Sequence, residues 1–190
     1  RQKGKRQRPP EKRGKIKIEY SIHQRPESVK NRKQFGHWEL DTMVSSRGKS
    51  KGTFATFVER TSRFFLAFKI PDRTSLSMNQ VISTLRKKLP RKAMRTATVD
   101  RGSEFAGHME LKKELKLHLY FADPYCSWQR GSNENANGLL REFFPKKTDL
   151  ALVKEEELQR ALFLINSRPR KCLGWKTPYE VFLDKLSHLN

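Results

Sequence analysis

The 190-residue sequence predicts a mixed α/β domain. Three observations point to it. Three short runs rich in Phe, Val and Thr follow one another between residues 38 and 70, separated only by brief turn-like breaks; this is the composition and spacing of consecutive strands. Beyond them, stretches with apolar residues at helical spacing alternate with two further strand-like runs. Gly and Pro punctuate the junctions, and no internal repeat is present.

Taken in order, the strands are predicted at 38–45, 53–60 and 63–70. Gly48 and Gly52 mark the first turn and Thr61-Ser62 the second. Connections this short make antiparallel neighbours. A helix over 75–89 follows from Met78, Val81, Ile82, Leu85 and Leu89, and Pro90 stops it. Residues 96–100 form a fourth strand, reached through that crossover helix and therefore parallel to the first. A second helix covers 103–115, a fifth strand 118–122, and a loop runs from Pro124 to Arg130. A third helix spans 133–143. Another spans 154–167, with Leu158, Ala161, Leu162 and Ile165 as its apolar stripe. The last begins at Thr177-Pro178, a capping threonine with proline at the first helical position. The order β-β-β-α-β-α-β-α is that of an RNase H-like fold, a mixed five-stranded sheet flanked by helices.

Charge divides the chain. Lys and Arg number 41 against 20 Asp and Glu, a formal net charge of +21. Such an excess suits a polyanionic partner, nucleic acid above all, although a basic solvated surface has the same composition and charge says nothing about catalysis. Residues 1–33 are dense in Lys and Arg and poor in apolar clusters, which predicts a flexible basic arm or linker making sequence-blind phosphate contacts, with local order only around 16–22. The globular core is expected over 34–190. The chain begins with Arg1, as a piece of a longer protein would. Cys126 and Cys172 lack zinc-type spacing and suggest a reduced, cytoplasmic setting. No apolar run approaches the length of a membrane span, and no signal peptide is evident.

In so basic a chain, three acids are conspicuous. Asp41 lies within the first strand, Asp100 ends the fourth, and Glu134 opens the third helix. In the predicted topology these places converge at one edge of the sheet, near strand ends, where α/β sheets commonly hold their sites. Phosphoryl transfer on nucleic acid by two divalent ions needs few side chains, mainly carboxylates from separate elements. Hard ions such as Mg²⁺ take oxygen ligands and keep several waters. Acids at strand ends and helix starts also serve as caps, so each alone has an ordinary explanation; order and spacing together argue for a site.

The surrounding residues resemble a known family. Gly36-His37-Trp38-Glu39-Leu40-Asp41-Thr42 is similar to the first-strand motif of the insertion sequence 30 family of bacterial DDE transposases. Thr98-Val99-Asp100-Arg101-Gly102-Ser103-Glu104-Phe105 resembles its second-aspartate motif, and the run from Tyr120 through Gln129-Arg130-Gly131-Ser132-Asn133-Glu134-Asn135 gives the longest match. The likeness continues through Phe144-Pro145-Lys146-Lys147-Thr148 and Asn166-Ser167-Arg168-Pro169-Arg170-Lys171, covering about residues 15–185. His37 and Leu40 depart from the family pattern without touching the three acids. The resemblance implies a retroviral integrase-like catalytic core that cleaves DNA and joins it to a target by transesterification. Asp41, Asp100 and Glu134 would be both catalytic residues and ligands of Mg²⁺ or Mn²⁺, two ions in all. It further implies DNA (element ends and target) as partner, homo-oligomers assembled on DNA, a nucleoid-associated place in the bacterial cytoplasm, and a helix-turn-helix domain preceding Arg1.

The expected DNA contacts are Arg130, Asn137, Arg141, Lys146, Lys147, Arg168, Arg170 and Lys171. Arg141 follows Glu134 by two helical turns and shares its face. Arg168, Arg170, Lys171 and Lys176 form a basic cluster suited to phosphate. Trp128 is expected to be buried against the helix, Glu39 and Asp123 to be supporting acids, and Gly131 and Gly138 to allow close approach of backbone to DNA. His37 and His108 have no spacing for zinc. Two alternatives compete: a non-catalytic basic DNA-binding or assembly module from a decayed transposase, and an RNase H-like nuclease.

Overall fold

A computed structural model describes residues 16–189 except Arg47 and Lys49. The expected arm over residues 1–15 lies outside the described residues. In chain order the strands are β1 (Tyr20–Ser21), β2 (His37–Val44), β3 (Thr53–Glu59), β4 (Phe65–Ile70), β5 (Thr96–Val99) and β6 (His118–Phe121). The helices are α1 (Glu27–Lys30), α2 (Ser75–Lys88), α3 (His108–Leu115), α4 (Gly131–Phe143), α5 (Glu155–Asn166) and α6 (Pro178–Ser187).

The sheet order is β1-β6-β5-β2-β3-β4. β2 is central, antiparallel to β3 and parallel to β5, as a hairpin followed by a crossover helix requires. Its residues alternate between the two faces. Trp38 and Leu40 enter one core with Phe57, Met78, Ile82, Leu111 and Phe182, beneath α2, α3 and α6. Met43 enters the other with Phe54, Phe65, Leu140, Leu158 and Leu162, beneath α4 and α5. The Trp38 indole donates to the Ala93 carbonyl at 2.8 Å, which satisfies its one polar atom inside the core.

Local signals set the helix ends. Thr74 Oγ1 accepts the Ser77 amide at the start of α2, and Arg86, Lys87 and Lys88 lie in its last turn, where the helix dipole favours cations. Thr177 and Glu180 form a reciprocal capping box at α6, with Pro178 at its first position.

Two expectations change. The sheet has six strands, because Tyr20 and Ser21 pair in parallel with Tyr120 and Phe121. The boundary expected at residues 33 and 34 therefore falls inside the fold: Ile22 and Val29 are 6% and 1% exposed. Sparse apolar residues in a basic stretch read as a tether, yet backbone pairing of two residues covers the open edge at β6 and the turns that follow bury Ile22 and Val29. The helix expected over 103–115 is instead a 3₁₀ turn at Ser103–Phe105 followed by α3. Asn79 Nδ2 donates to the Gly107 carbonyl at 3.1 Å where the two pieces part. Among the described residues, no helix is long and apolar enough to cross a membrane.

Candidate active site

Asp41 projects from β2 toward α4, on the face shared with Glu39 and Met43. Its Oδ1 accepts the Thr42 amide at 2.8 Å, and its Oδ2 accepts Asn137 Nδ2 at 3.3 Å. Asp100 follows β5 directly, and its Oδ1 accepts the Gly102 amide at 2.8 Å. One guanidinium spans the two carboxylates: Arg130 Nη1 is 3.2 Å from Asp41 and Nη2 is 3.3 Å from Asp100. Burial pushes the Asp41 carboxyl above its ordinary value. The Arg130 cation and the Thr42 amide oppose that rise, while the charge of Asp100 adds to it.

A fourth carboxylate stands beside them. Glu104 is fully buried, and its Oε1 accepts from Thr42 Oγ1 at 2.9 Å and Arg73 Nε at 2.8 Å. Its Oε2 has no hydrogen-bond partner among the described residues. A Cβ on Gly102 would lie 2.3 Å from Glu104 Oε2 and 2.8 Å from Asp100 Oδ1, so only glycine lets these two acids close on one point. Sequence reasoning missed Glu104, which lies inside the second-aspartate motif with no role attached to it. The signal that could have found it was an acid followed by Phe105, a core residue, four positions beyond Asp100.

α4 starts without a side-chain cap. Its first turn is held instead by Glu39, whose Oε2 accepts the Asn133 amide at 2.9 Å while Oε1 pairs with Arg60. Glu39 thus fixes the helix that carries Glu134, as a supporting acid should. Glu134 is exposed, one turn before Asn137 on the same face. Asp41 and Asp100 are brought together; Glu134 reaches their vicinity through its helix without touching either. No three acidic, His or Cys side chains among the described residues enclose an ion position as placed.

The remaining residues fall into two groups. Arg130, Asn137 and Arg141 line the α4 side of the site, with Arg141 donating to the carbonyls of Val44 at 2.9 Å and Phe144 at 3.3 Å. Lys146, Lys147, Arg168 and Lys171 are exposed, and Arg170 is half-buried, donating to the Ile165 carbonyl at 3.3 Å. Asp123 organises the loop before α4, accepting from Gln129 Nε2 at 2.9 Å and pairing with His23 at 2.8 Å. Trp128 differs from expectation: it is 72% exposed, because Gln129 anchors that turn and turns the indole outward. A Cβ at Gly131 or Gly138 would meet nothing within 4 Å, so the surface there is open. His37 is buried between Thr96 and Gln34.

The donor set fits a hard divalent cation. Two carboxylates already converge on one cationic group, an orphaned carboxylate oxygen is buried alongside, and oxygen ligands are what Mg²⁺ and Mn²⁺ take.

A mixed sheet in this strand order, with one acid within its central strand β2 and another just after the neighbouring parallel strand β5, defines an RNase H-like domain. Residues 31–127 match the family described as Integrase core domain, and the chain belongs to that family. It is 42% identical over 160 residues to the transposase InsI for insertion sequence element IS30A of Escherichia coli, covering 84% of this chain and 41% of that protein. It is 39% identical over 183 residues to the transposase for insertion sequence element IS1086 of Cupriavidus metallidurans, covering 96% of this chain and 53% of that protein. The chain thus spans about half or less of the length of these relatives. The crystal structure of the catalytic core domain of BIV integrase superposes with a TM-score of 0.61 at 25% identity, covering 80% of this chain and 95% of that one.

Proposed function

We propose that this domain is the catalytic core of a DNA transposase, cutting a DNA strand and joining the new end to target DNA. The carrying observation is that Asp41 and Asp100, on neighbouring parallel strands, share one cation position beside the helix that bears Glu134. In each step an oxygen, from water or from a DNA 3′-hydroxyl, forms a bond to phosphorus. The bond from phosphorus to the leaving 3′-oxygen breaks, and that oxygen gains a proton. Asp41, Asp100 and Glu134 would hold two Mg²⁺ or Mn²⁺ ions, which when bound neutralise charge on the reacting phosphate. Thr42 and Gly102 orient the two aspartates through their amides. Asn137 fixes the second oxygen of Asp41. Arg130, Arg141, Lys146, Lys147, Arg168, Arg170 and Lys171 would contact DNA phosphates, in keeping with a net charge of +21. Assembly of copies on paired DNA ends and a place in the bacterial cytoplasm, at the nucleoid, belong to this reading.

The experiment is a plasmid nicking and strand-transfer assay with Mg²⁺ or Mn²⁺. Asp100→Asn and Glu134→Gln are expected to abolish joined products while leaving DNA binding largely intact. Undiminished joining by either purified variant would sink the proposal, and products that are cut but never joined would make the protein a nuclease.

A further inference from the structure

On the flank of α4 opposite Asn137 lies a cavity of about 250 Å³, lined by Arg63, Ser132, Asn135, Arg170 and Cys172 over an apolar floor from Phe65 and Ile165. Arg63 Nη1 donates to Ser132 Oγ at 3.0 Å, which fixes one guanidinium at the rim. Arg63 also takes a left-handed backbone (φ 63°) that a non-glycine residue adopts only when its surroundings impose it.

Arg63 and Arg170, the two arginines that line this cavity, repel one another, and further arginines lie in the field of Arg63. Arg32 lies in the field of Arg60 and Arg63, Arg60 in that of Arg25 and Arg63, and Arg170 in that of Arg168 and Arg63. Burial first holds the guanidinium groups of Arg32, Arg60 and Arg170 below their ordinary value; the like charges add to this at Arg32 and Arg170, while at Arg60 the Glu39 carboxylate opposes it ahead of them. The acids nearby compensate in part: Glu39 opposes the lowering at Arg60 and Arg32, and Glu142 opposes it at Arg170. Glu39 spends one oxygen on Arg60 and the other on the Asn133 amide. Glu59 turns its carboxylate onto the amides of Gly36, Thr61 and Ser62. Arg60 and Arg170 each keep a buried Nε–H without a partner among the described residues. The two half-buried guanidinium groups that line the cavity, Arg63 and Arg170, one of them with an orphaned Nε–H, form an anion receptor, since an approaching anion relieves their repulsion and satisfies their donors.

We infer that this cavity is a phosphate subsite for the DNA backbone, with Arg63 and Arg170 as its contacts and Arg32 in the field behind them. The inference rests on the transposase reading. A helix about 10–12 Å across separates the cavity from Asp41 and Asp100, so a DNA strand crossing the start of α4 can place phosphates on both flanks. The rival occupant is an acidic segment of a second copy, such as Glu155-Glu156-Glu157; DNA is favoured because copies each carrying +21 repel.

Cys172 reports occupancy directly. With Cys126→Ser, the only other cysteine is gone, and alkylation of Cys172 by neutral iodoacetamide is followed with and without a saturating duplex oligonucleotide. Bound DNA is expected to slow alkylation several-fold. Arg63→Gln/Arg170→Gln should remove that protection, weaken binding, and make the salt dependence shallower by about 0.9 for each phosphate no longer neutralised. DNA binding by anisotropy with unchanged alkylation overturns the subsite and leaves the transposase reading standing. Protection that grows with protein concentration in the absence of DNA assigns the face to a second copy and also overturns it. Equal protection by inorganic phosphate alone makes it a small-anion site and not a DNA one. Absence of any DNA binding overturns both readings.

Discussion

The backbone amide of Asn133 donates to Glu39 Oε2 at 2.9 Å, and this one bond ties the central strand to the helix that carries Glu134. Glu39 sits two residues before Asp41, so the same strand that presents the first aspartate also sets the start of α4. The buried pair of Glu39 with Arg60 holds that carboxylate in place. Removing one partner of a buried pair leaves an uncompensated charge, which is far more damaging than exchanging both for apolar residues.

Glu39→Ala should therefore cost about 3–5 kcal/mol of stability, measured by urea unfolding. Adding Arg60→Met should recover a large part of the loss. A single variant as stable as the parent would show that the pair does not anchor α4.

Arg130 holds Asp41 and Asp100 together through its two terminal guanidinium nitrogens. Arg130→Ala should lower the melting temperature in chelator, because two neighbouring carboxylates lose their shared cation. Mn²⁺ should then raise the melting temperature more in the variant than in the parent, since ligand binding stabilises the folded state by its affinity and no guanidinium competes. An equal or smaller Mn²⁺ shift in the variant would refute this competition.

His37 is 4% exposed, and burial, followed by the charges of Arg95, Arg60 and Arg25, lowers its pKa from 6.5 to about 4. The neutral ring donates from Nε2 to Gln34 Oε1 and accepts Thr96 Oγ1–H at Nδ1, both at 2.8 Å. Below pH 6.5 the unfolded chain binds a proton that the folded one refuses. This contribution to stability is complete above pH 6.5 and is lost as pH falls toward 4, by about 3 kcal/mol. The stability difference between the parent and His37→Asn, from denaturant melts, should shrink steadily from pH 7 to pH 4.5. A difference independent of pH would contradict the assignment.

Much of this was legible in the chain. Trp38 and Leu40 alternate with Glu39 and Asp41, and that period of two marks a central strand with a core face and a functional face. Met78, Ile82 and Leu85 mark the crossover helix that makes β5 parallel to β2, and so places Asp100 beside Asp41. Glu134 opens a helix whose apolar stripe, Ala136 and Leu140, shows which side packs. Each of these signals is local, or follows from a short connection.

What the chain could not display depends on residues far apart in sequence meeting in space. Tyr20 and Ser21 are too short a run to announce a strand, and only the open edge at β6 gives them a partner. Trp128 carries no local mark of exposure; the Gln129–Asp123 contact decides it. Glu104 becomes notable only when Gly102 lets it close on Asp100. Periodicity, caps and turns act over a few residues, so the order of elements and the three acids could be read along the chain. Two arrangements could not: the bridge that Arg130 makes between Asp41 and Asp100, and the meeting of Arg63 and Arg170 on one flank of α4. Charges separated by many residues interact strongly only once the fold has removed the water between them.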